Sequence, residues 1–301
     1  MIETPRAVAQ EPLLLADLSS PETRDLLPQI ELVLVPVGAH EQHGPNIAVS
    51  TDTVCADALC RAAAALAGSR VAVAPAIPWG ISWHHLRFAG TISLRPATLI
   101  ALLEDIVGSL HIHGVRCFLV VNGHGGNAAA ITTAIEEIKQ QTGVPLIASV
   151  FGYALIAEQA KAVLPAGAIG HGGADEAAVV MAAAPHQAKP HAFALPQPTG
   201  VQAETAALLR AYGGSLARRY DEVTRNGTTG DATPATAELG QQILDGAARR
   251  LAEIIDVLLR ESGEAEDVQA GTSGIGHRGQ GTIASIGALT PADAARSDEA
   301  D

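Results

Sequence analysis

Three short apolar runs punctuate the first half of the chain: LVLVPV at 32–37, VAVAP at 71–75 and CFLVV at 117–121, with a fourth candidate at 145–150. Each is a few residues long, rich in β-branched side chains and bounded by turn residues, the pattern of a strand buried on both faces. Between them lie helix-length segments at 53–66, 97–113 and 127–142. Further helices are predicted at about 175–184, 202–220 and 236–259, the last two bracketing the loop RNGTTGDATPAT. Strands alternating with helices predict an α/β fold with a parallel sheet covered by helices on both faces. In such sheets the ligand crevice lies outside the carboxyl ends of the strands, so polar clusters at those ends are the candidates for chemistry.

The first such cluster, VPVGAHEQHGPNIAVSTDT, carries His40, Glu41, His43 and Asp52 directly after the first long run. Glu41 and His43 are two apart, so an extended segment points both to one side. The second, VVNGHGGN, places His124 among Gly123, Gly125 and Gly126. Those glycines let the backbone approach a ligand closely, and the segment matches neither GxGxxG nor a P-loop, which weighs against a phosphate cradle. The third, GHGGADEAAVVMAA, puts His171 in a glycine loop and Glu176 in the first turn of a helix, with Asp175 read as its solvent-facing neighbour. Imidazole and carboxylate without thiolate suit Zn, Mn or Fe. The number of ligands exceeds what one ion needs and predicts a two-metal hydrolase with Asp52 able to bridge.

Composition narrows the field. The 301 residues are 48% apolar, enough to fold without a metal or disulfide, so the ligands are chemical rather than structural. A formal net charge of −13 repels a phosphate backbone and argues against a nucleic-acid partner. Cys55, Cys60 and Cys117 form no CxxC pair and read as buried thiols of a cytoplasmic protein. The N-terminus shows no secretory pattern, and no apolar run approaches the roughly 18 residues that span a bilayer. Residues 261–301 hold 8 acidic and 2 basic side chains, seven glycines and no aromatic residue, which predicts a mostly disordered acidic tail. The expected organisation is an extension at 1–24, a domain at 25–260 and that tail.

The three motifs in this order, VGxxEQHGP…TDT, NGHGGN and HxGxxE, resemble the creatininase (creatinine amidohydrolase) family over roughly residues 25–260, with WHHLRFAGTIS at 83–93 and GDATPATAELG at 230–240. The resemblance implies a three-layer α/β/α fold, two divalent metal ions, and hydrolysis of a carbon–nitrogen bond in an amide or cyclic amide. It implies Glu41, His43, Asp52, His124 and Glu176 as metal ligands and His171 as a proton-transfer residue. It also implies a small-molecule amide or short peptide as substrate and a homo-oligomer, a hexamer by family. Creatinine hydrolases carry a glutamate where this chain has Gly126, and tryptophans near the counterpart of His171 that are missing here, so creatinine itself is not the expected substrate. The formamide deformylases and the branch that trims the mycofactocin precursor peptide are as similar, and the RFAGTIS stretch looks most like the latter.

His85, Gly125 and Gly126 are expected to meet the substrate. Trp79 and Trp83 are read either as pocket wall or as packing beneath the loop. His40, Asn122 and Asn127 are candidates for orienting ligands, Asn127 alternatively for capping the helix after it. His111, His113, His186, His191 and His277 have no comparable neighbours. The competing classes are a non-catalytic metal-binding scaffold and a doubly wound oxidoreductase, the latter weakened by the absence of GxGxxG after any strand.

Overall fold

The computed structural model describes residues 11–201 and 204–272. Five strands form one sheet: β1 (Leu13–Leu14), β2 (Leu32–Val37), β3 (Val71–Val73), β4 (Cys117–Asn122) and β5 (Leu146–Phe151). Their order is β1-β3-β2-β4-β5 and every neighbouring pair is parallel. β2 and β4 are buried along their whole length, which is why they read as uninterrupted apolar runs. Successive side chains of a strand point to opposite faces. Leu32, Leu34, Cys117, Leu119 and Val121 therefore enter one core, and Val33, Val35, Val37, Phe118 and Val120 enter the other.

The first core is closed by α2 (Thr51–Ala67), α5 (Gly152–Val163), α6 (Ala174–Ala183) and α8 (Ala237–Thr272), the second by α3 (Pro96–Ile112) and α4 (Ala128–Thr142). The result is three layers, α/β/α. From β2 the chain runs through α2 to β3 on one side, then through α3 to β4 on the other. The segments leaving β2 and β4, which are neighbours, thus diverge to opposite faces of the sheet. A crevice opens between them at their carboxyl ends, the topological switch point of an open α/β sheet.

Several expectations change. The stretch at 13–24 is part of the domain: β1 forms the sheet edge against β3, and α1 (Ser20–Leu26) follows it with a Ser19/Glu22 capping box. α5, which the apolar pattern did not single out, starts at the residue after β5 with no intervening turn. The helix expected at 202–220 is the shorter α7 (Glu204–Ala211). It stops before Gly213, at φ +74, and Gly214, a pair that supplies a helix terminator. α8 runs to Thr272, past the expected start of the tail at 261; Glu, Ala and Asp without proline or glycine between 264 and 270 sustain it. Residues 273–301, with His277 and most of the expected tail, lie outside the described residues, as do 1–10. Among the described residues no helix is long and apolar enough to cross a membrane, and all three cysteines are buried free thiols.

Candidate metal centre

The crevice gathers all three motifs. Glu41 and His43 sit on the loop leaving β2, Asp52 in the first turn of α2, His124 just beyond β4, His171 on the loop before α6 and Glu176 in the first turn of α6. Glu41, His43, Asp52, His124 and Glu176 are each no more than 5% exposed, a degree of burial that carboxylates reach only when paired or bound to a cation.

The hydrogen bonds of the histidines show what the cluster is built for. A neutral imidazole has one N–H and one bare nitrogen, and the partner of the first fixes where the second points. His43 donates from Nδ1 to the Glu41 carbonyl oxygen (3.0 Å), which turns Nε2 to Asp52 Oδ1 at 3.3 Å and Glu176 Oε2 at 3.6 Å. His124 donates from Nε2 to the Ile81 carbonyl oxygen (3.0 Å), leaving Nδ1 3.3 Å from Asp52 Oδ2. His171 donates from Nε2 to the Gln42 carbonyl oxygen (2.7 Å), leaving Nδ1 3.7 Å from Glu41 Oε1. For His43 and His124 a bare nitrogen thus faces a carboxylate oxygen, lone pair against lone pair, and a cation between them relieves the repulsion. Glu41 Oε2, His43 Nε2 and Asp52 Oδ2 are correspondingly buried without any hydrogen-bond partner. Glu41, His43 and Asp52 bring ligand atoms within 4.8 Å of one another, as do His43, His171 and Glu176. A donor set of buried imidazole nitrogens and carboxylate oxygens of this kind fits divalent metal ions.

The electrostatics agree. Burial pushes His43 down, but Glu176, Asp52 and Glu41 outweigh it and raise the imidazole to about 10. Burial likewise pushes His124 down, but Glu41 and Asp52 outweigh it and raise the imidazole well above its ordinary value. Burial raises Glu176 to about 8 against the pull of His43, with Asp175 and Asp52 adding to it. The pocket draws in positive charge, which protons on His43 and His124 supply until a metal displaces them. His171 moves the other way, its protonation depressed by burial and then by the neighbouring His43.

Around these side chains lies a cavity of about 640 Å³; its lining includes His85, Gly125 and Gly126, and also Phe151, Tyr153, Tyr220 and Thr229, which the sequence did not single out. Phe151 and Tyr153 follow from the carboxyl-end rule applied to β5, whose last residue is Phe151. Tyr220 comes from the distant connection before α8, and nothing local marks it; its ring lies 3.9 Å from that of His85 and 4.8 Å from that of His171. His84 stacks on His124 with ring centroids 5.5 Å apart. Trp79 and Trp83 are about half exposed and line no part of the cavity.

Asp175, read as solvent-facing, is fully buried; it accepts from the Tyr153 hydroxyl (2.7 Å) and from the Gly170 N–H (3.1 Å) on the His171 loop. Asn127 does not cap α4 through its side chain. Instead it ties Ile81 to Gly38 across the crevice, accepting from the Ile81 N–H (2.8 Å) and donating to the Gly38 carbonyl (2.9 Å). Asn122 accepts from the His124 N–H at 3.0 Å and so holds the ligand loop. His40 pairs with Ile92 through its backbone and joins no metal-capable group among the described residues. At Gly126 a Cβ would fall on the Ile81 carbonyl oxygen and on His124 Nε2, so this backbone has no room for a side chain there.

Fold and site together define a three-layer α/β/α protein with a buried histidine–carboxylate centre for divalent metals at its switch point. The chain belongs to the creatininase family: the family model for creatinine amidohydrolase matches residues 16–255. It is 38% identical over 117 residues to the mycofactocin precursor peptide peptidase of Mycobacterium tuberculosis strain CDC 1551, a match covering 36% of this chain and 46% of that one. It is 33% identical over 110 residues to the creatinine amidohydrolase of Pseudomonas putida, covering 35% and 42%. Each match thus spans under half of the relative's own length. The crystal structure of creatinine amidohydrolase superposes with a TM-score of 0.70 at 23% identity, over 82% of this chain and 97% of that one, and shares the fold. Creatininase has been solved in Mn and in Zn-Zn forms.

Proposed function

We propose that this protein is a metal-dependent amidohydrolase that cleaves a carbon–nitrogen bond of a small amide, a cyclic amide or a short peptide. The observation that carries this is the set of buried bare nitrogens and unpartnered carboxylate oxygens facing one another in an open cavity. Glu41, His43, Asp52, His124 and Glu176 would hold two divalent ions, zinc, manganese or iron, the two oxygens of Asp52 being turned to different histidines. Ions so held would supply an acidified water and polarise the amide carbonyl.

The rest falls to this chain's own groups. His171, its Nε2–H committed to the Gln42 carbonyl, takes up a proton at Nδ1 and delivers it to the departing nitrogen. Gly125 and Gly126 line the cavity beside His124 and leave it free of side chains there, while Phe151 and Tyr220 add aromatic rings to its lining. The open cavity and the 38% identity to a precursor peptidase favour a short peptide within this class. The buried free thiols support a cytoplasmic setting, and family membership supports a homo-oligomer, a hexamer by resemblance.

Metal analysis of protein purified without added metal, combined with amine release from small amides, cyclic amides and short peptides, tests the proposal. About two ions per chain with turnover is the expected result. Two ions without turnover on any of these would instead identify a metal-binding scaffold, and no bound metal would overturn both.

A further inference from the structure

Gln42 lies between two expected metal ligands, is 4% exposed, and touches two of the cavity histidines that are not among them, His85 and His171. Its side-chain Oε1 accepts the Gly44 N–H at 2.8 Å, which fixes which end of the amide is nitrogen. Nε2 then has two protons and three neighbours: His85 Nδ1 at 2.7 Å, the Gly227 carbonyl oxygen at 3.0 Å and His171 Nε2 at 3.0 Å. The last cannot accept, because His171 Nε2 spends its own proton on the Gln42 backbone carbonyl 2.7 Å away, and a carbonyl only accepts. The two amide protons therefore go to Gly227 and to His85 Nδ1. His85 accordingly carries its proton on Nε2, which stands 3.3 Å from Glu41 Oε1. The loop over Gln42 is shaped for this contact: Gly227 sits at φ +87, and a Cβ there would fall on Gln42 Oε1.

We propose that Gln42 is a positioning residue that sets the proton arrangement of His85 and His171, its side-chain amide turning the Nε2–H of His85 to Glu41 and its backbone carbonyl turning the bare Nδ1 of His171 to the same carboxylate. Two consequences follow. His85 is not a metal ligand, although it lies within ligand distance of Glu41 and His171: one of its nitrogens accepts from Gln42 and the other carries a proton. It also meets substrate only through its ring, since both nitrogens are engaged by protein. His85 instead holds Glu41 Oε1, which leaves the unpartnered Oε2 for the cation, as outer partners commonly orient metal-binding carboxylates.

The assignment of protons stands on the hydrogen bonds alone; its effect on turnover rests on the amidohydrolase reading. The test is two-bond 1H–15N correlation on the full chain, zinc-loaded and labelled with 15N histidine, with His85 assigned by its loss in His85→Asn. The expected spectrum shows His85 protonated at Nε2 and bare at Nδ1. Gln42→Glu replaces the donor by an acceptor, so His85 should carry a proton at Nδ1 in that variant. In that variant, kcat should fall by roughly 10 to 100-fold with two zinc ions retained, the range for lost outer partners. A wild-type His85 protonated at Nδ1, or an unchanged His85 in Gln42→Glu, overturns the proposal. Should Gln42→Glu not fold, the wild-type spectrum decides by itself. Should the spectra behave as expected while no amide is turned over, the hydrolase reading fails and the proton assignment stands.

Discussion

His43 Nε2 and Asp52 Oδ1 face each other at 3.3 Å in the core of the protein, and the second oxygen of the same carboxylate faces His124 Nδ1 at the same distance. Neither His43 Nε2 nor Asp52 Oδ2 has a hydrogen-bond partner. A carboxylate that turns one oxygen to each of two bare nitrogens is placed to be shared by two cations, and sharing offsets their mutual repulsion. Asp52→Ala should therefore lose both ions or keep one weakly, read as metal per chain after dialysis. Two ions retained at wild-type affinity would rule out the sharing.

His171 separates proton transfer from metal binding. General acid–base groups contribute roughly 100 to 10,000-fold, so His171→Ala should keep two ions and lose kcat by about that factor. The loss should shrink for an activated amide whose nitrogen departs without help. Loss of a metal instead would make His171 a ligand.

Gly126 is closed in by the Ile81 carbonyl and by His124. Gly126→Ala should push His124 out of place, weakening metal binding by roughly 10 to 100-fold in a calorimetric titration and destabilising the fold by about 1–3 kcal/mol. Unchanged metal affinity would show that the loop yields freely.

Tyr153→Phe removes the hydroxyl that donates to the buried Asp175 carboxylate while keeping the ring. A buried acceptor left without its partner costs about 1–3 kcal/mol, visible as a lower denaturation midpoint. Metal content should not change, because Asp175 points its other oxygen at the Gly170 N–H and not at the metal ligands.

Removing residues 273–301, which carry no aromatic side chain, should leave Tm and turnover nearly unchanged. Cutting at 260 should lower Tm further, since it also shortens α8. Equal effects of the two cuts would mean that residues 261–272 contribute nothing.

Local chemistry made much of this protein legible before any coordinates. Strands buried on both faces must be short and continuously apolar, so β2 and β4 stand out, and the candidate ligands are expected at their carboxyl ends because that is where open α/β sheets leave a crevice. Glu41, His43, Asp52, His124, His171 and Glu176 were readable as residue types at turns. Helix ends were less so: α5 begins without a turn signal, and the helix expected at 202–220 gives way at Gly213–Gly214. What only the tertiary structure decided is which atom of each side chain is free. That depends on carbonyls far away in the chain, Ile81 for His124 and Gln42 for His171, 43 and 129 residues distant. The same holds for the burial of Asp175, for Tyr220 closing over His85, and for Gln42, whose role follows from the Gly227 carbonyl 185 residues downstream. Periodicity and turn chemistry are properties of neighbouring residues, whereas a proton's position on an imidazole is set by whichever acceptor the fold brings within 3 Å.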